Sequence, residues 1–123
     1  MAVVALTFRK TNKTKTKLIS WPALANGDVG AAANLSIYPN KTLHVYGTFG
    51  AGGSVTLRGS NKAAPDPTVA ADWFTMSDWV GAVTRTAAGG SLMRDQPLWL
   101  SPIVTAGDGT TALTLDLVAQ DSA

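Results

Sequence analysis

The sequence predicts an all-β fold, an antiparallel β-sandwich of jelly-roll-like type carrying an extended N-terminal arm. Three observations predict it. Strand-forming residues dominate, with fifteen threonines beside many Val, Ile and Leu. Turn residues recur about every ten positions, the rhythm of short strands joined by tight connections. Several segments also alternate apolar and polar residues with the period of two that a half-buried strand requires. The 123 residues support one domain, a length at which about two-thirds of the chain's surface is buried on folding.

Each element has its own justification. Residues 1–8 place Val4, Leu6 and Phe8 on one face and predict a strand added to a sheet. Residues 15–21 predict a strand ending at Pro22, and 24–31 a loop built on Asn26-Gly27-Asp28 and Gly30. In 34–38, Leu35 and Ile37 share a face. In 42–49, Leu43 and Val45 point inward against Thr42, His44 and Tyr46, and in 54–59 Val55 and Leu57 point inward. Joined by a turn at Pro39-Asn40-Lys41 and a hairpin connection at Gly50-Ala51-Gly52-Gly53, these three predict a meander. Residues 60–71 form a Pro- and Ala-rich loop, 72–78 return to strand character around Trp73, Phe74 and Met76, and 83–86 are a short strand before a turn at 87–90. Residues 98–105 are strand-like, with Pro102 expected at an edge or bulge because it has no N–H to give a ladder. Asp108-Gly109 is the strongest short hairpin signal, and 112–119 put Leu113, Leu115 and Leu117 on one face. The total is roughly eight to nine strands.

The strand at 98–105 breaks the alternation. Leu98, Leu100 and Val104 point one way, Trp99 and Ile103 the other, so neither face is polar. In a two-layer sandwich such a strand needs cover on its outer face, from a partner, from the arm or from long loops. Trp21, Trp73 and Trp79 add to the aromatic surplus, and self-association accounts for both.

The charge divides the chain. Residues 1–17 hold Arg9, Lys10, Lys13, Lys15 and Lys17 and no acid, while 18–123 set five bases against eight aspartates, so that a +5 arm joins a −3 body. Such an arm suits an acidic protein surface or a neighbouring subunit. Nucleic acid is disfavoured, because five charges are few and no aromatic lies among the lysines to stack on bases.

Catalytic equipment is sparse. With no cysteine, thiolate chemistry, disulfides and cysteine metal sites are excluded, and the single His44 excludes a multi-histidine site within the chain. The glycine run at 47–53 has no lysine to close a phosphate loop and leads into a strand. His44 lies on an outward strand face, and neither Ser54 nor Ser60 sits on a nucleophile elbow. Asn26-Gly27-Asp28 and Asp108-Gly109-Thr110 read as turns rather than calcium loops, since neither has the twelve-residue spacing with a terminal Glu. The sequence therefore points to a non-enzyme with no cofactor and no metal. No apolar run approaches membrane-spanning length. The start of the chain lacks the charged segment of a secretory signal, so the sequons at Asn12, Asn34 and Asn40 are expected to be fortuitous.

Over residues 20–119 the sequence resembles small β-sandwich virion proteins of tailed bacteriophages, of the capsid decoration (cement) type. The resemblance is carried by Trp21-Pro22-Ala23-Leu24-Ala25-Asn26-Gly27-Asp28, by His44-Val45-Tyr46-Gly47-Thr48-Phe49-Gly50 and by Val55-Thr56-Leu57-Arg58-Gly59-Ser60-Asn61. It continues through Trp73-Phe74-Thr75-Met76-Ser77-Asp78 and Ile103-Val104-Thr105-Ala106-Gly107-Asp108-Gly109-Thr110-Thr111. The loop at 60–71 is longer than the compact turn of that pattern. The resemblance implies a structural protein made in the host cytoplasm that binds the outside of the head, as a trimer, and bridges major capsid subunits. The arm (Arg9, Lys10, Lys13, Lys15, Lys17) with Trp99 and Ile103 are the expected contacts to capsid or sister subunits. The alternative reading is a fibre or tail-associated sandwich that binds carbohydrate through Tyr46, Trp73 and Trp79.

Overall fold

A computed structural model describes residues 2–9 and 16–120. In chain order its strands are β1 (Val3–Val4), β2 (Thr7–Arg9), β3 (Thr16–Leu24), β4 (Val29–Gly30), β5 (Ala33–Asn34), β6 (Asn40–Thr48), β7 (Ser54–Ser60), β8 (Phe74–Thr75), β9 (Thr84–Arg85), β10 (Gly89–Leu92), β11 (Trp99–Ala106) and β12 (Ala112–Gln120). They form a two-sheet sandwich, antiparallel throughout except that β1 runs parallel to β4. One sheet has the order β10-β6-β12-β3-β2. The other runs β1-β4-β11-β7-β8, with β5 also on β11 and β9 on β7.

Alternation places the core. Leu115 and Leu117 of β12 pair across with Val45 and Leu43 of β6 and with Trp21 and Ile19 of β3, Leu113 pairs with Leu24 of β3, and all are buried. Val55 and Leu57 of β7 and Leu100 and Val104 of β11 close the core from the opposite sheet. Each such side chain contributes about 1.5–3 kcal/mol over leaving it in water. Trp21 fills the centre at 0% exposure, and its Nε1–H donates to Ala31 O at 2.8 Å. That packing fixes Gly30, where a Cβ would lie 2.5 Å from Trp21 Cδ1 and 2.6 Å from the Pro102 ring.

The inward faces expected for 42–49, 54–59 and 112–119 are the observed ones, but the connectivity differs from the expected meander. β6 and β7 lie in different sheets, so the glycines at 50–53 form an arch between layers instead of a hairpin. The Asp108-Gly109 turn does the same between β11 and β12. Turn chemistry is identical in the two cases and does not report which sheet the chain enters next. Residues 34–38 are not a strand: β5 ends at Asn34 and a turn follows, in which Leu35 is buried and Ile37 is 75% exposed. The expected strand at 72–78 is broken up: Phe74–Thr75 pair with β7 while Ser77 and Asp78 form only isolated bridges, to Ala82 and Met93, and β10 forms where a turn was expected.

Pro102 sits on a central strand, contrary to the edge expectation. It faces Leu57 of β7, whose own N–H and C=O turn away to Val83 and Met76, so the Pro102 nitrogen points toward the β4–β5 side. There the ladder is interrupted between Gly30 and Ala33. The missing donor coincides with the gap.

Residues 2–9 are built into the body. β1 borders one sheet and β2 the other, and Val4 and Leu6 pack against the core between them. Over its described residues the expected arm thus crosses from sheet to sheet and closes one side of the sandwich. Lys10, Lys13 and Lys15 lie outside the described residues.

Candidate functional site

Thr56, Arg58 and Ser60 alternate with the core residues of β7 and point away from the core, yet all three are buried. Arg58 and Ser60 are covered by the chain's own excursion between β7 and β8, whereas the Thr56 hydroxyl meets that of Thr84 on β9 at 3.0 Å. Arg58 donates through Nη2 to Pro67 O (3.1 Å) and Ser101 Oγ (2.9 Å) and through Nε to Ser101 O (3.3 Å), while the Trp73 ring lies 5.0 Å from its guanidinium carbon. Burial pulls the Arg58 pKa down to about 10, which leaves it cationic at neutral pH. Ser101, at 0% exposure, also donates to Gly30 O at 2.7 Å. On the outer face of the strand at 98–105, Ser101 is buried beneath Arg58, while Ile103 and Trp99, paired in register with Val29 and Asn34, are half-buried.

The excursion is knit internally. Trp73 Nε1–H donates to Asp66 O (2.8 Å), Asp66 N–H donates to Asp72 Oδ2 (2.9 Å), and Lys62 Nζ reaches Asp72 Oδ1 at 2.6 Å. The Asp66 N–H bond first, then Lys62, holds the Asp72 carboxyl below its usual pKa, so it is an ionised acceptor at neutral pH. Between 60–62 and 71–74 these residues leave an open cleft of about 460 Å³, with Trp73 and Phe74 as its aromatic walls.

A second feature is the loop between Met76 and Val83. Val83 N–H donates to Met76 O, Ser77 bridges Ala82, and Asp78 N–H donates to Gly81 O at 2.8 Å. The Asp78 carboxylate accepts the N–H groups of Val80 (2.8 Å) and Gly81 (2.9 Å), bonds that also lower its pKa. From outside, Asp78 bridges Met93, Arg94 N–H donates to Ser77 O, and Asp95 Oδ2 accepts the Ser77 N–H. So fastened, the loop holds Trp79 at 73% and Val80 at 97% exposure. An exposed Trp on a stiff loop suits an interface, because Trp dominates binding hot spots and little ordering entropy remains to be lost.

The remaining sequence candidates fall elsewhere. Tyr46 lies on the outer face of the β6 sheet, its ring 4.9 Å from His44 and its hydroxyl donating to Asp116 Oδ2 at 2.8 Å. Trp73 covers the outer face of the opposite sheet, so the expected Tyr46–Trp73–Trp79 platform is not assembled. Lys17 places Nζ 4.6 Å over the Phe8 ring, and Arg9 lies at the end of β2. Ser54 and Ser60 are in the sheet opposite His44, which separates the three. Among the described residues no group of three or more His, Asp or Glu is placed to hold a metal. Asp28 accepts from Ala25 N–H, and Asp108 from Thr110 and Ala51 N–H, as turn and arch ties. Sequence reasoning missed Arg58, Lys62, Asp72, Phe74 and Val80. The polar outward set Thr56-Arg58-Ser60 beside a long loop was the available signal.

No family model matches the chain, and no curated protein matches it. Among solved structures, the crystal structure of the SPBc2 prophage-derived protein YomS is similar, with a TM-score of 0.62 at 10% identity over 89% of this chain and 98% of that one. The likeness spans nearly the whole of both chains and establishes a shared sandwich fold.

Proposed function

We propose that the chain is a structural protein of a bacteriophage particle that works by contact, and that it decorates the outside of the head by bridging major capsid subunits. The observation that carries this reading is the fastened Trp79–Val80 tip, an apolar knob displayed on a loop closed by its own hydrogen bonds. The resemblance of residues 20–119 to decoration proteins and the shared fold with a prophage-derived protein support the phage setting. In this reading the tip enters an apolar pocket on the capsid, while Arg9, Lys10, Lys13, Lys15 and Lys17 add salt-dependent attraction to an acidic surface. Sister subunits of a trimer meet over Trp99 and Ile103, and joining several modest contacts in one oligomer raises the effective concentration of each.

Sedimentation with undecorated heads tests it. The protein co-sediments at roughly micromolar concentration, and Trp79→Ala weakens binding by about tenfold or more. Wild-type protein that stays in the supernatant would sink the reading.

A further inference from the structure

We infer that the cleft beside Trp73 is a saccharide subsite that takes one neutral pyranose ring. The indole and the Phe74 ring meet the ring's C–H face, and Asp72, Lys62 and Asn61 hydrogen-bond its hydroxyls. This site is separate from the Trp79–Val80 tip and goes beyond the contact role.

The chemistry of the wall selects the ligand. Apolar and polar groups share it: Phe74 is 42% exposed, and Lys62, Asp72 and Asn61 line the same cleft. An apolar ligand would bury the Asn61 amide N–H groups and the remaining Lys62 ammonium donors without new partners, which is costly. A charged ligand meets the Lys62–Asp72 pair, closed at 2.6 Å with no net charge. A pyranose ring satisfies both sets, because it presents C–H groups on one face and hydroxyls around its rim. The volume, about 460 Å³, lies toward the small end of ligand sites, and the opening to solvent lets a longer glycan continue outward.

The groups are also preset. Trp73 is pinned by its bond to Asp66 O and by Arg58, which lies against the indole but outside the cleft lining. Asp72 is held by the Asp66 N–H and Lys62. Asn61 Oδ1 accepts the Leu98 N–H at 3.1 Å, which leaves its amide group to donate. Fixing these rotamers before binding lowers the cost of ordering them.

The test is a ¹⁵N NMR titration of the intact chain with methyl glucoside, methyl galactoside, methyl mannoside and N-acetylglucosamine. At least one sugar shifts the amides of Asn61, Lys62 and Asp72 and the Trp73 indole N–H, with Kd on the order of 10 mM for so small a ligand. Phe74→Ala, at a part-exposed position, keeps the dispersed spectrum and weakens binding about tenfold. Asp72→Asn weakens it as well. Trp79→Ala leaves sugar binding unchanged while it impairs head binding, so the two proposals fail separately. No shift at these resonances at about 50 mM of every sugar, or equal shifts in Phe74→Ala, overturns the proposal.

Discussion

Arg58 is a cation buried with no carboxylate partner among the described residues, held by two oxygens of Ser101, by Pro67 O and by the Trp73 face. Its aliphatic stem fills space while its head ties the excursion to β11. Arg58→Ala removes both and is expected to cost about 2–4 kcal/mol in urea unfolding. Arg58→Met keeps the volume and sheds the desolvation penalty, and is expected to cost less than half as much. Asp108 works at the opposite end of the sandwich. Its carboxyl is held down to about 2, first by the Thr110 hydroxyl, then by the N–H groups of Ala51 and Thr110. An unfolded chain binds that proton nearer the ordinary aspartate value of about 3.9. The stability it lends is therefore complete above about pH 5 and is lost as the pH falls toward 2. Asp66, Asp72 and Asp78, also lowered, add loss in the same direction. Urea midpoints measured from about pH 5 to about pH 2 should fall, and Asp108→Asn should flatten part of the decline.

The N-terminal segment is the element whose role depends most on its neighbours. β1 completes one sheet, β2 completes the other, and Leu6 spans the gap with its side chain on the core. Leu6→Ala, at a half-buried site, should cost about 1–2 kcal/mol. Removing residues 2–9 should lower stability before any partner is added, which a thermal melt of the isolated protein reads directly. That role was hidden in the sequence. Val4, Leu6 and Phe8 announced a strand, but a two-residue pairing on one sheet followed by three on another leaves no period to read. Long ladders were legible for the opposite reason: β6 and β12 repeat the inward Leu and Val often enough to fix their faces. β4, β5, β8 and β9, two residues each, carry no alternation at all. The candidate site shows the same split. Trp73 and Trp79 stood out by size, whereas Arg58 and Asp72 gained meaning only when the excursion folded back over β7.

The two sheets are unequal, and this asymmetry organises the molecule. One is built on β3, β6 and β12, nine residues each, with β12 bonded along both edges. The other joins β7 and β11 to fragments and carries both the excursion and the Trp79–Val80 loop near its margin. Local opening free energy follows buried contacts and paired backbone. Native-state hydrogen exchange should therefore show Leu115 and Leu117 exchanging only by global unfolding, while Phe74, Thr75, Thr84 and Arg85 open sub-globally at lower cost. Uniform protection across both sheets would refute this hierarchy. The tip lies on the weaker margin, and neither Trp79 nor Val80 is in the core. Trp79→Ala should consequently leave unfolding stability within about 0.5 kcal/mol of wild type. A larger loss would show that the indole is part of the fold, and the tip would then no longer qualify as a surface kept free for a partner.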